Sequence, residues 1–461
     1  MFVTKMFNYS LKHLKNGAAR IYLQNTQALK ASGFNAEGAI RIEYSKLKVE
    51  ILSDKCGTNS VQDTSRGELI EIRNKTLAEC FSGLDRVIIT FRSGKIIISA
   101  SKADIDRLKR EARLSASIKR GKVTFGSLYS GIGLTSLALK LGLKRTGLDT
   151  VQAFSTDIDE LALSVQVEGN PIWEEHLKNA VVIADDISNI DFSSVPQVDV
   201  LEIGYPCYNQ STLCPKTQRD LEHPKVGSKF IPTVNAIKQL NPAVIIIECA
   251  VPFLQSKTYS LIKKEIQGYQ FEEARISGYD HGDFEERKRC FILATSKGLN
   301  RANLDDFQPK QITDRPQIKS IMETVPLGDK AWKEMQHVKD KLTDPRLNFK
   351  HKVYSGNETK IAAIPATYNS PKIGSPMIQA EGSHLQRLFT YVEHSRIREV
   401  PKKLFSVLDS VAKGKHPLVS KRGNVTAVQR MLGNGVSPKA WRNAGEFVGR
   451  YLISQKLTLS T

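Results

Sequence analysis

Cys207 stands in Gly204-Tyr205-Pro206-Cys207, directly after the apolar run from Val198 to Ile203. A strand end followed by Pro-Cys projects a thiol into the crevice of an α/β sheet. The polar residues Tyr208 to Thr212 that follow argue for exposure. A lone cysteine is more often a small core residue, but an exposed one with a stabilised thiolate is a covalent nucleophile. Glu248 ends a second apolar run, Ile245-Ile246-Ile247. A carboxylate there bears a desolvation cost and is placed to donate a proton to a heterocycle; a helix cap or a surface glutamate is the plainer alternative. Arg287 and Arg289, in Glu285-Glu286-Arg287-Lys288-Arg289, fall on one side at strand spacing. Such a pair binds a base carbonyl or a phosphate, unless it is only a solvated charge run.

A second group is suited to an adenosine. Ser130-Gly131-Ile132-Gly133 is a glycine turn between the strand Val123–Tyr129 and the helical run Leu134–Leu143. It lets backbone approach a ligand closely. Asp157 ends the next strand, where an acid suits a ribose diol, with Ile158 and Asp159 after it. Asp185-Asp186-Ile187 follows the third strand. Any one of these acids is as well explained as a helix N-cap. The ordered set is harder to attribute to accident.

These residues need a scaffold, and from Val123 onward strands alternate with helices. The pattern predicts an α/β, doubly wound, Rossmann-like sheet with polar residues at the carboxyl ends of its strands. Residues 123–299 are the expected catalytic domain. Residues 300–390, poor in regular pattern, form a separate region, and 391–461 return to the catalytic domain. Residues 1–100 read as a β-rich accessory domain with two similar halves. Residues 101–122 read as a basic helix and linker carrying Arg107, Lys109, Arg110 and Arg113.

The 461 residues carry 67 Lys and Arg against 48 Asp and Glu, a net charge of +19, which points to a polyanion such as nucleic acid. The excess is concentrated in residues 1–122. No apolar run approaches the ~18 residues of a membrane span, and no secretory signal is expected. Six cysteines without a CxxC pair argue against structural zinc or a disulfide framework. The cysteines suit a reducing compartment, so the expected setting is the cytoplasm.

In this order the motifs resemble those of the DNA cytosine-5 methyltransferase family. Phe125 to Gly133 resembles its first cofactor motif, Gly204 to Cys207 its nucleophile motif, and Glu248-Cys249-Ala250 its Glu-Asn-Val element. Arg287 and Arg289 match its paired arginines. Tyr391 to Pro401 and Gln429 to Val436 resemble its last two motifs. Departures are Ser127 for Asp, Leu134 for Gly, Tyr208 for Gln, Cys249 for Asn and Glu285 for Gln.

The resemblance implies S-adenosyl-L-methionine (AdoMet) as cofactor and no metal. Phe125, Ser130, Gly131, Ile132, Gly133, Asp157, Ile158, Asp186, Ile187, Asn434 and Val436 would hold it. It implies double-stranded DNA as partner of a monomeric catalytic unit, as in restriction-modification, and a prokaryotic setting, nucleoid-associated or encoded on a mobile element. Ser211, Lys216, Arg219 and Lys225 would lie on a mobile DNA-contacting loop, and residues 300–390 would read the target. Cys207 would add to C6 of a flipped-out cytosine, with Glu248 and the arginines holding the base. An RNA cytosine-5 methyltransferase and a DNA-binding regulator with a decayed catalytic domain are the alternatives. The N-terminal region resembles swapped-hairpin DNA-binding domains of the AbrB type, which implies an accessory DNA contact.

Overall fold

A computed structural model describes residues 4–210, 215–342 and 350–455. The chain divides into two compact units, Met1–Lys109 and Arg110–Thr461.

The first unit is built from two like halves. One runs strand Ala19–Leu23, helix Thr26–Ala31 and hairpin Ala39–Ser45/Lys48–Ser53. The other runs Gly67–Asn74, Lys75–Cys80 and Arg86–Arg92/Lys95–Ser99. Asn25 and Asn74 cap the two helices through equivalent side-chain bonds, at 3.1 and 2.7 Å. The pairings are reciprocal: Ile21 faces Ile72 as Leu23 faces Ile70, and Val49 faces Ile98 as Ile51 faces Ile96. Each hairpin turn docks on the other half, with Leu47 N donating to Cys80 O and Gly94 N to Ser32 O. These relations define a local two-fold axis, through the pairs Tyr22–Glu71 and Glu50–Ile97.

In the second unit seven strands form one sheet: β1 Lys122–Leu128, β2 Asp149–Asp157, β3 His176–Ala184, β4 Val200–Gly204, β5 Val244–Cys249, β6 Tyr269–Ser277 and β7 Lys288–Ser296. Their order is β3-β2-β1-β4-β5-β7-β6, parallel except where β7 pairs with β5 and β6. Alternation along β5 sends Val244 and Ile246 to one face and Ile245, Ile247 and Cys249 to the other. The first face is covered by helices α1 Leu134–Lys144 and α4 Pro438–Ser454. They touch so closely that a Cβ on Gly142 would lie 2.1 Å from Arg442 O. Helix α3 Phe230–Leu240 covers the second face. The strand order reverses between β1 and β4, the switch point where such sheets bind ligands.

The expected basic helix and linker of residues 101–122 is a single helix, Lys102–Lys119. Its Leu114 and Ile118 enter the core of the second unit. Arg110 donates to Ser296 Oγ at 2.8 Å and to Gly268 O at 2.6 Å, and lies over the Tyr269 ring. Arg113 donates to the carbonyls of Val198 and Asn241, both at 2.6 Å. Two of the cations read as a polyanion contact therefore satisfy backbone carbonyls inside the unit.

Buried charge ties the C-terminal half to the sheet. Glu285 pairs with Arg398, whose Nε also donates to Leu432 O at 2.9 Å. Glu285 Oε1 accepts from Ile364 N at 2.6 Å. Burial raises the pKa of such a group, but Arg398 and Arg287 outweigh it and hold the carboxyl below its usual range. Glu285→Ala, which strands Arg398, should cost about 3–5 kcal/mol in urea denaturation followed by tryptophan fluorescence.

Candidate active site

The end of β4 lies beside the end of β5, with Gly204 in register with Glu248. Tyr205 N donates to Glu248 O at 3.0 Å, and the Tyr205 ring stacks on Phe253 at 5.0 Å. This fixes the turn that carries Cys207, which is half-buried. Arg289 Nε meets Glu248 Oε1 at 2.8 Å. Burial alone would lower the Arg289 pKa, but Glu248 and Cys207 raise it above its ordinary value. Cys207, Glu248 and Arg289 thus converge on one edge of the sheet. Next to Arg289 opens a cavity of about 530 Å³ lined by Val251, Pro252, Arg275 and Lys288 among others.

Arg287 does not join this cluster. It is buried, and it donates to Ile364 O at 3.2 Å and Gly433 O at 2.8 Å. Strand spacing gave both arginines one side, but only the second reaches the carboxylate; the first holds backbone. Cys249 and Cys290 face each other on β5 and β7, fully buried. Burial pushes the Cys249 thiol well above its usual value and the Cys290 thiol up to about 12.

Across the switch point the glycine turn is held on all sides. Gly131 N donates to Asp157 Oδ2 at 2.7 Å, and Asp159 N to Asp157 Oδ1 at 2.9 Å. From helix α2 Glu160–Gly169, Gln166 donates to Gly131 O and Ser130 Oγ. Asn170, the residue after that helix, donates to Ile132 O and Gly133 O. Gly131 has φ +51°, and a Cβ there would meet nothing within 4 Å, so this backbone faces open space. Ile158 is an apolar side chain 71% exposed beside it. Burial raises the Asp157 pKa against its backbone bonds. Asp159 caps α2 through Ala162 N and pairs with Arg430.

Phe125 is a correction. It is 1% exposed in the core beneath α1, out of reach of a ligand. The aromatic at the open end of β1 is Tyr129, at φ +57°, with its hydroxyl 2.9 Å from Thr233 Oγ1. The sequence signal was there, since Tyr129 directly precedes the turn. Two further residues were missed. Lys229 Nζ lies 2.6 Å from both oxygens of Asp186. Glu202 is buried on β4. Neither sits in a distinctive motif. Ile187 and Val436 are buried at 6% and 2%, and Asn434 is exposed.

Of the expected DNA contacts, Ser211 lies outside the described residues. Lys216 opens a short turn, and Lys225 is exposed. Between them Asp220 is anchored, accepting from Lys257 N at 2.6 Å and Thr258 N at 3.1 Å. Among the described residues no helix is long and apolar enough to cross a membrane, and no cluster of three metal-ligating side chains occurs.

Residues 123–447 match the model of the C-5 cytosine-specific DNA methylase family. Over 202 residues the chain is 27% identical to the Type II methyltransferase M.FnuDI of Fusobacterium nucleatum, covering 42% of this chain and 53% of that one. It thus spans about half the length of that relative. Over 330 residues it is 23% identical to the Type II methyltransferase M1.ScrFI of Lactococcus lactis subsp. cremoris, covering 69% of this chain and 79% of that one. The Dnmt2 methyltransferase of S. pombe shares the fold, with a TM-score of 0.51 at 18% identity over 73% of this chain and 98% of that one.

The burial pattern orders the thiols. In the native protein iodoacetamide should label Cys207 at least ~10-fold faster than Cys249 or Cys290. Peptide mass spectrometry over a time course measures this.

Proposed function

The chain belongs to the C-5 cytosine-specific DNA methylase family, and on that premise we propose that it methylates C5 of cytosine in double-stranded DNA through a covalent adduct at Cys207. The observation that carries the reading is the convergence of Cys207, Glu248 and Arg289 on one sheet edge, across the switch point from a ligand-facing glycine turn.

The turn and its surroundings fit AdoMet. Gly131 leaves open space, Ile158 offers an exposed apolar face to a purine, and Asp157 retains lone pairs for a ribose diol while bracing the turn. When bound, the cofactor supplies an electrophilic methyl group. The protein's task is to make C5 nucleophilic. The Cys207 thiolate adds to C6, giving C5 enamine character. Glu248, with one oxygen held by Arg289, holds N3 and the exocyclic amine as charge develops, and Arg289 serves the O2 side. C5 takes the methyl group, loses its proton, and the thiol is eliminated. The base is reached by flipping it from the duplex. Arg275 and Lys288 in the neighbouring cavity suit the anionic backbone. Residues 300–390 are assigned to base readout, and the setting is a prokaryotic cytoplasm.

Cys207→Ser should lower methyl transfer by at least ~10³-fold. Tritium transfer to duplex DNA and to tRNA, with bisulfite sequencing, checks both the nucleophile and the substrate. Methylation of tRNA alone by the unaltered protein would overturn the DNA assignment. Asp157→Ala should weaken AdoMet binding by about tenfold in calorimetry, with DNA affinity unchanged.

The first unit is assigned an accessory DNA contact. A chain starting at Ser101 keeps the whole helix Lys102–Lys119, which the core requires. It should retain AdoMet binding and methylation context but bind DNA more weakly, with a shallower salt dependence. Binding across a salt series measures this.

A further inference from the structure

Glu202 is a buried carboxyl group that the proposed reaction leaves unused. It sits on β4 in register with Ser127 on β1, at the switch point. Ser127 occupies the place where the motif usually carries Asp, so a carboxyl group has not vanished from this spot; it comes from the adjacent strand. Two hydroxyls fix it. Ser127 Oγ and Ser136 Oγ, the latter at 3.0 Å, both donate to Oε2. Neither bond involves Oε1.

The surroundings of Oε1 indicate what it receives. Two residues on is Gly204, which has no side chain. The point a Gly204 Cβ would occupy lies 3.0 Å from Tyr129 O, 3.6 Å from Glu202 Oε1 and 3.9 Å from Leu128 O. Three oxygen acceptors therefore surround one small space at the open ends of β1 and β4. That grouping suits a donor with several hydrogens, and an ammonium above all. Along the edge, the space lies between the strand end carrying Asp157 and the one carrying Glu248.

Resting on the AdoMet reading above, we propose that Glu202 receives the α-ammonium of the cofactor's methionine moiety. Burial first, then the neighbouring acids Glu248 of β5 and Asp157 of β2, push its pKa up to about 8 against the two serine bonds. Near neutral pH the carboxyl therefore favours its protonated form until a cation meets it. An arriving ammonium supplies the missing positive charge. The carboxyl proton leaves to solvent, and an ammonium N–H takes its place as donor to Oε1.

The test compares two ligands on the full chain by calorimetry, near neutral pH in buffers of different ionisation enthalpy. S-adenosylhomocysteine keeps the amino acid moiety. 5′-Methylthioadenosine keeps the adenosine and the thioether but lacks the amino group. The unaltered protein should release about one proton more with the first ligand than with the second. Glu202→Gln should remove that extra release and lower affinity for S-adenosylhomocysteine about tenfold or more. Its affinity for 5′-methylthioadenosine should stay within about twofold. Equal affinity of the unaltered protein for the two ligands would overturn the assignment without needing the variant to fold. Equal losses for both ligands in the variant would overturn it too. If the unaltered protein binds neither ligand, the AdoMet reading fails and this inference fails with it.

Discussion

A carboxylate at the end of a fully buried strand must meet a cation or lose its charge, and the catalytic half of the molecule is arranged around how Glu248 meets Arg289. That contact aligns the ends of β5 and β7. The residues just before Arg289 then stitch in the rest. Arg287 holds the carbonyls of Ile364 and Gly433, and Glu285 holds Arg398 and the amide of Ile364. A stretch of five charged residues, two acids followed by three bases, thereby joins the sheet, the 300–390 region and the C-terminal helices. The energy of such buried pairs lies less in their attraction than in the cost of leaving either member alone.

Across the switch point the backbone is satisfied by side-chain amides and one carboxylate rather than by an ion pair. The carbonyls of the glycine turn are satisfied by the amides of Gln166 and Asn170, and one of its N–H groups by Asp157. Ser130 N also donates to Thr156 O and Gly133 N to Ser130 O, so the turn is held before any ligand arrives. Preorganisation of this kind lowers the ordering cost of binding.

Local pattern made much of this legible. The five apolar residues before Glu248 announce a buried strand, and the glycine turn and the acids after β2 and β3 lie where alternating elements put them. What stayed hidden depends on partners remote in sequence. Strand periodicity cannot say that Arg287 will meet carbonyls from residues 364 and 433 while Arg289 meets a carboxylate. Phe125 and Tyr129 look alike as aromatics near the turn, and only strand length decides which emerges from the core. Arg110 and Arg113 count as surface charge until the carbonyls of Val198, Asn241 and Gly268 are brought to them. Glu202 is invisible because its meaning comes from the strand beside it.

The local two-fold axis of the first unit has a consequence for the residues that lie on it. In an assembly of two identical chains, a residue on the axis faces its own copy, so a glutamate there would oppose a glutamate. Here the axis pairs are Glu50 with Ile97 and Tyr22 with Glu71. Glu50 is flanked by Lys48 and Lys95, at 2.7 and 2.6 Å, and the second of these belongs to the other half. Two halves carried by one chain do not have to match themselves. Their shared core keeps the symmetry, while the residues at the axis depart from it.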